Sequence, residues 1–244
     1  MEPEQDETKQ ESAASDSAAR GPGSLVRGPK PGISAFIPAY NEETNIALVI
    51  PLLRTSLAAI SDDYEIVVVD DGSVDRTAAR VEEFASTDPR VRLVRHGRNK
   101  GYGQALRTGF LSSTKAIVLF TDADIPFDAS VLKAAVQALS ECPVVVGYRV
   151  GRAFTLKRWM LSAGYNLLLR LLFGLRVRDA NFSFKVFGKD AVDRFKHVLA
   201  AESVFVSAEI LVRLARSGVP IREQPVRHLP RVHGVSTLGT WRQA

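Results

Sequence analysis

Glu65-Ile66-Val67-Val68-Val69-Asp70-Asp71-Gly72-Ser73-Val74-Asp75-Arg76-Thr77 carries the reading of the fold. Ile66 to Val69 are four consecutive β-branched residues, apolar on both faces of an extended chain. A strand of that kind has to be covered on both sides, as in a parallel sheet lying between helices. Two carboxylates, a glycine and a serine then mark a turn, and Asp75 and Thr77 suit the opening of a helix. The same order recurs on either side. Strands are predicted over Ile33–Ile37, Glu65–Asp70, Val91–Arg95, Ala116–Thr121 and Val144–Gly147. Helices are predicted over Thr44–Ile60, Asp75–Ser86, Gly103–Ser112 and Ser130–Leu139, with Pro51 expected to kink or split the first. Repeated strand–helix units of this sort build a parallel sheet with right-handed crossovers, whose ligand lies beyond the carboxyl ends of the strands.

The rest of the chain narrows the class. Its 244 residues are 45% hydrophobic and 24% charged, which excludes whole-chain disorder, collagen and a disulfide scaffold. The length suits one large domain or two small ones. Cys142 is alone, so neither an internal disulfide nor a cysteine zinc site is encoded, and a reducing compartment is the simple expectation. No apolar run reaches the roughly 18 residues of a membrane span, and the N-terminus lacks the pattern of a secretory signal. Residues 1–32, rich in Ser, Ala, Glu, Gln, Gly and Pro, are expected to form a disordered tail, with order beginning at Ile33.

Charge is distributed unevenly. The tail holds four basic and six acidic residues, a balance of −2, which leaves +7 for residues 33–244. The stretch from Arg149 to Lys185 accounts for all of it, with eight basic residues against Asp179. Such an excess points at an anionic partner, whether phosphate, nucleic acid or a membrane surface, or else at a solvated helix face. It carries no nucleic-acid motif.

Four strand ends are predicted to open at one edge. They carry Pro38-Ala39-Tyr40-Asn41-Glu42, then Asp70-Asp71-Gly72-Ser73, then Arg98-Asn99-Lys100-Gly101-Tyr102-Gly103, and then Asp122-Ala123-Asp124. Carboxylates, a glycine-containing basic turn and helix N-termini together suit a phosphorylated, metal-bound ligand. An acid–x–acid turn past a buried strand can hold Mg²⁺ or Mn²⁺, whose preferred ligands are all oxygen. Read alone, Asp124 or Asp128 could equally cap the next helix, and Asp70 and Asp71 could be ordinary caps. The four histidines, His96, His197, His228 and His233, have no metal-site spacing and read as satisfied core or surface residues.

In this order and after successive strands, the four motifs resemble family 2 inverting glycosyltransferases of the GT-A fold. That is a Rossmann-like α/β class with a mostly parallel sheet flanked by helices. Gly147-Tyr148-Arg149, Arg158-x-x-x-Ser162, Asn166, Asp179 and Arg231-Val232-His233-Gly234-Val235-Ser236 extend the resemblance over about residues 33–240, toward the dolichyl-phosphate mannosyltransferase-like branch that loads polyprenyl phosphates. The resemblance implies that Pro38, Ala39, Tyr40, Glu42, Asp70, Asp71 and Lys100 bind the nucleotide-sugar, together with Asp122, Ala123 and Asp124. Asp122 and Asp124 would hold Mg²⁺ or Mn²⁺. Arg149, Arg158 and Arg231 would contact the donor diphosphate or the acceptor phosphate, completing a catalytic set with the two aspartates. Three positions depart from the pattern: Pro126 replaces a polar residue, Thr237 a lysine, and Phe182-Ser183-Phe184 a Ser-Gly-Phe. Arg158-Trp159 is shared with processive synthases, but Thr155 stands where their Q-x-x-R-W motif has glutamine.

Within the basic stretch of about 149–185, Arg158, Ser162, Asn166 and Arg170 recur at helical spacing, as do Leu161, Tyr165, Leu168 and Leu172. This predicts an amphipathic interface helix, with its apolar face either on an anionic leaflet or on the core. The expectation is a metal-dependent transferase using a nucleotide-sugar donor and a polyprenyl phosphate acceptor. It would be peripheral on the cytoplasmic face of a membrane, alone or through an anchoring partner protein, with no nucleic acid involved. The alternatives are transfer to a hydroxyl of a glycan or small molecule, and a donor-binding or scaffold protein without turnover.

Overall fold

The structure, a computed structural model, describes residues 30–124, 129–151, 156–200 and 205–227, with only the backbone described for 156–159. Most of the tail, Pro126, Asp128, the side chains of Arg158 and Trp159, Arg231 and Thr237 therefore lie outside the described residues.

The chain alternates as the apolar runs predict. It reads β1 (Ile33–Ala39), α1 (Glu43–Ala58), β2 (Tyr64–Asp70), α2 (Thr77–Ala85), β3 (Val91–Arg95), α3 (Tyr102–Ser112), β4 (Ile117–Phe120), α4 (Ala129–Ala138) and β5 (Val144–Val150). There follow α5 (Leu156–Phe173), β6 (Lys185–Gly188), α6 (Lys189–Asp193), α7 (Val206–Arg216) and β7 (Arg222–Arg227), none of which the strand–helix reading includes except α5. The seven strands form one sheet in the order β3-β2-β1-β4-β6-β5-β7. All neighbours are parallel except that β6 runs against β4 and β5.

Both faces of the sheet are covered. On one side α1, α2 and α4 pack Ile46, Leu53, Val81 and Leu132 against Ile37, Ile66, Val68 and Leu119. On the other, α3, α6 and α7 cover Phe36, Val67, Val69 and Phe120. Here Phe36, Phe110, Phe187 and Phe195 meet edge to face, with ring centroids 4.7 Å apart for Phe36–Phe110 and 4.9 Å for Phe110–Phe195, and Phe120 stacks on Phe36 at 5.3 Å. α3 approaches β1 closely enough that a Cβ at Gly109 would sit 2.2 Å from the Phe36 ring, so a side chain there would push helix and sheet apart.

Pro51 was expected to kink or split α1, and it does not split it: one helix runs from Glu43 to Ala58. Its ring removes one amide donor, but Pro51 and Ala47, whose carbonyl loses that donor, are both exposed and water can take over. The buried stripe of Ile46, Val49, Ile50, Leu53 and Leu57 holds the helix to the sheet across the defect.

The sheet end opposite the strand-end motifs is tied by Glu65. Its Oε1 accepts from Ser34 Oγ (2.6 Å), the Thr114 amide (2.8 Å) and Thr114 Oγ1 (2.8 Å), and its Oε2 from Arg92 Nε (3.1 Å) and Nη2 (2.8 Å). Burial alone would raise its pKa, but the Ser34, Thr114 and Arg92 donors outweigh it and hold the carboxyl at about 2. A carboxylate depressed in the folded state stabilises above its unfolded pKa, here about 4.5, and that contribution is lost as pH falls toward about 2. Glu65→Gln should therefore cost on the order of 2–3 kcal/mol at neutral pH and flatten the acid limb of stability between those values. Urea melts of both proteins at stepped pH check this, and an equally steep acid limb in the variant would refute it.

Candidate active site

The parallel register of β1, β2, β3 and β4 brings all four motifs to one sheet edge. Pro38 and Ala39 end β1 in the core opposite Val69 and Asp70, while Tyr40 is 40% exposed just beyond. Asn41 takes a left-handed backbone (φ 56°), and its side chain accepts from the Val74 amide at 2.9 Å while its own amide donates to Ser73 Oγ at 2.9 Å. The Glu42 amide donates to Thr77 Oγ1 (2.8 Å) and the Glu43 amide to Asp75 Oδ2 (3.2 Å). The first motif is thus stapled along its length to the second, and Asp75 and Thr77 serve this staple as well as the start of α2.

Asp70 and Asp71 differ sharply in their partners. Asp71 Oδ1 accepts from the Lys100 amide (2.9 Å) and His96 Nδ1 (2.6 Å), and Oδ2 accepts from the Gly101 amide (2.8 Å). His96 in turn meets Thr108 Oγ1 through Nε2 at 3.0 Å, so this core histidine is satisfied on both nitrogens. Gly72 (φ 73°) lies against the same loop, where a Cβ would fall 2.4 Å from the Arg98 carbonyl carbon. Asp70 Oδ1 accepts the Ser73 amide at 3.0 Å, but among the described residues its buried Oδ2 has no hydrogen bond, only Arg95 Nε at 3.4 Å outside bonding geometry. Of the two, Asp70 Oδ2 is the oxygen without a hydrogen bond among these residues, and Asp71 is spent on the loop. The exposed Lys100 side chain leaves that loop toward solvent.

Asp122, Ala123 and Asp124 follow β4, with Ala123 buried and both aspartates half-buried as residues. Tyr102, the first residue of α3, donates its hydroxyl to Asp122 Oδ1 at 3.3 Å. Burial, together with Asp122, raises the Tyr102 phenol well above its usual range and keeps it a donor. Burial also pushes the Asp122 carboxyl up to about 6, with Asp124 adding to the rise and Ser183, Lys185 and Tyr102 opposing it. Two close carboxylates under such strain suit a cation, and their all-oxygen chemistry suits Mg²⁺ or Mn²⁺, which complete their shells with water and phosphate oxygens. Among the described residues no group of three or more His, Cys, Asp or Glu converges on one metal position.

Arg149, near the end of β5, reaches the same edge. Its Nε lies 3.5 Å from Asp179 Oδ2 without a hydrogen bond, and its guanidinium stacks over the Phe182 ring at 5.0 Å. Arg158 is in the first turn of α5, its side chain outside the described residues, and Arg231 is outside them altogether. His96, Lys185 and Ser207 lie outside the motifs, and Tyr102 stands inside the third motif without an assigned role there.

Residues 34–195 match the sequence model of glycosyl transferase family 2, and the chain belongs to that family. Its α/β architecture is the GT-A fold. It superposes on glucosyl-3-phosphoglycerate synthase of Mycobacterium tuberculosis, solved with Mn²⁺, UDP and glucosyl-3-phosphoglycerate, with a TM-score of 0.67 and 23% identity over 86% of this chain and 74% of that one. A mannosyltransferase from Pyrobaculum calidifontis, solved with GDP-Man and Mn²⁺, gives 0.63 at 23% identity over 82% and 57%. Dolichyl-phosphate beta-glucosyltransferase of Saccharomyces cerevisiae is 30% identical over 223 residues, 80% of this chain and 66% of that protein. The chain spans less than two thirds of the length of the three curated relatives compared, at 66%, 49% and 33%.

Asp71→Asn keeps the side chain's shape but loses one acceptor, leaving an amide at Lys100 or Gly101 without its partner. Hydrogen exchange at those two amides should quicken by about tenfold or more, with a loss of about 1–3 kcal/mol in stability. Unchanged protection there would mean that another group holds the loop.

Proposed function

We propose that the chain transfers a sugar, with inversion, from a nucleotide-sugar to a polyprenyl monophosphate at a membrane surface. The observation that carries the acceptor reading is α5. Leu161, Leu171 and Leu172 are 67%, 72% and 66% exposed, with Met160, Leu167 and Leu168 beside them, while Tyr165, Asn166 and Leu169 turn inward. An outward apolar face reverses the usual arrangement of a surface helix and calls for a cover. Exposed Arg170 and Arg176 on the same segment favour an anionic leaflet as that cover. Among the described residues no helix is long and apolar enough to cross a membrane, so α5 would lie in the interface. It follows β5 at the sheet edge that carries Asp122, so a phosphate held at that interface would lie within the reach of Arg149.

The nucleoside would rest against Pro38, Ala39 and Tyr40, with Asp70 accepting from the base or ribose and Asp71 and Glu42 bracing the loops around it. Lys100 would face the donor from its loop. Asp122 and Asp124, flanking Ala123, would hold Mg²⁺ or Mn²⁺, which when bound neutralises the departing nucleoside diphosphate. Tyr102 would keep Asp122 oriented toward it. The acceptor monophosphate, with a second pKa of about 6, is already ionised at neutral pH and needs no general base. Arg149, Arg158 and Arg231 would fix its oxygen in line with the anomeric carbon. Transfer to a soluble phosphorylated or hydroxyl acceptor would use the same donor site but would leave the α5 face unexplained.

Incubation with radiolabelled UDP- and GDP-sugars, Mg²⁺ or Mn²⁺ and a polyprenyl phosphate should yield a mild-acid-labile lipid-linked sugar. Asp122→Asn and Asp124→Asn should each lower that rate by about a hundredfold or more without lowering the melting temperature. Product from a soluble acceptor alone, or full activity in both variants, would overturn the reading. A Leu168→Glu/Leu172→Glu chain should lose about a hundredfold in partitioning to anionic vesicles, since each buried leucine contributes about 1.5–3 kcal/mol. Co-sedimentation with vesicles measures it, and unchanged partitioning would remove α5 from the interface.

A further inference from the structure

Lys185 counts in the sequence as one of eight charges facing an anionic partner, yet it is fully buried on β6. Its register places it opposite Phe120 of β4 and Val146 of β5, just inside the positions of Asp122 and Arg149. The ammonium donates to the Phe182 carbonyl and to Ser207 Oγ (2.7 Å), and lies 5.6 Å from the centre of the Phe120 ring. Ser207, on α7, passes its own hydroxyl proton to the Ala180 carbonyl at 3.1 Å. Lysine and serine together therefore pin the backbone of the 179–184 loop at two carbonyls, two residues apart.

That loop supplies the described supports of Arg149. The Asp179 carboxylate lies 3.5 Å from its Nε, and the Phe182 ring lies 5.0 Å beneath its guanidinium. Neither contact is a directional hydrogen bond, since Arg149 Nε has no bonded acceptor. Among the described residues the guanidinium is held by a ring face and a carboxylate at 3.5 Å, so its placement follows the loop bearing them. The charge on Lys185 matters as well. An isolated ammonium is costly to bury, and burial brings its pKa down to about 8 against the pull of Asp179 and Asp122. The Asp179 and Asp122 carboxylates offset this buried cation, while the like charge of Arg149 acts with burial against it.

We propose that Lys185 and Ser207 are positioning residues for Arg149, acting through the 179–184 loop. The role of Arg149 on the acceptor phosphate rests on the proposed function, but its placement by Lys185 does not. The full chain is compared with Lys185→Met, Lys185→Arg and Ser207→Ala by the NMR signal of the Arg149 Nε–Hε group, assigned by its disappearance in Arg149→Lys. In the wild type this proton should exchange slowly at a fixed shift. In Lys185→Met it should move to the averaged position of a free arginine while the amides of β1, β2 and β4 stay put, and Lys185→Arg should restore part of it. With undecaprenyl phosphate micelles, Lys185→Met should raise the acceptor KM about tenfold. Binding of UDP or GDP in Mn²⁺, read by calorimetry, should remain within about twofold in Ser207→Ala, which leaves the Lys185 charge beside Asp122 in place. Should Lys185→Met fail to fold, Ser207→Ala carries the same expectation for the Arg149 signal. An unmoved Arg149 signal in the folded variants overturns the positioning role. A moved signal with no activity toward undecaprenyl phosphate in any chain upholds it and overturns the proposed function instead.

Discussion

The carboxylate of Asp71 is the constraint on which the chemical edge of this sheet depends. Strands β1, β2 and β3 end beside one another, but their ends would be free to fray separately. Asp71 joins them: its amide donates to Ala39 at the end of β1 (2.8 Å), and its oxygens take the Lys100 and Gly101 amides and His96. The His96 amide returns a bond to the Asp70 carbonyl at 2.9 Å. A buried carboxylate with three donors is stable only as a complete set, because loss of any member leaves a charge or an amide unsatisfied. The 72–77 turn then carries the first motif through Ser73, Asp75 and Thr77. The loops at this edge are therefore one connected unit, and Asp71 does the holding while Asp70 Oδ2 keeps no hydrogen bond among the described residues.

The first five strands and four helices were legible because local chemistry decided them. Ile66–Val69 and Ile117–Phe120 can only be doubly covered strands, and Asp-Gly-Ser or Asn-Lys-Gly after them can only turn. The other half was not legible for equally physical reasons. β6 is four residues long and begins with a lysine, and β7 reads Arg-Glu-Gln-Pro-Val-Arg, so neither has the apolar run of a central strand. Both are strands because their neighbours β4 and β5 complete them, a tertiary effect that no local pattern carries. The site divides in the same way. The motif residues could be placed by their position after strands, whereas His96, Lys185 and Ser207 act across separations of 25, 22 and 27 residues that only the folded chain closes.

Pro51 and the charge count show where local rules misled. Helix breaking by proline assumes that the lost bond has no substitute, but Ala47 and Pro51 lie on the exposed side of α1, where water can supply one. The +7 stretch assumed that its charges face outward together. In the fold, Lys185 is buried, Arg149 leans on Asp179, and Arg178 stacks on Tyr148 at 4.4 Å and approaches Glu223 at 3.7 Å. The field offered to an anionic surface is correspondingly smaller than the sum.

What remains on that side is mainly apolar. Surface arginine–carboxylate contacts of this kind contribute little to stability, whereas six large outward side chains on α5 represent a hydration penalty that the isolated chain cannot relieve. Under the proposed function, that imbalance shapes how the site works. Attachment through leucines depends on area more than on ionic strength, so α5 would hold its depth in the leaflet across changes in salt. The Ala180 amide donates to Asn166 Oδ1 on α5 at 3.1 Å, linking the helix to the loop that supports Arg149. Depth of the helix and position of the arginine are then one variable, and a lipid phosphate would meet its receptor at a height set by the membrane itself.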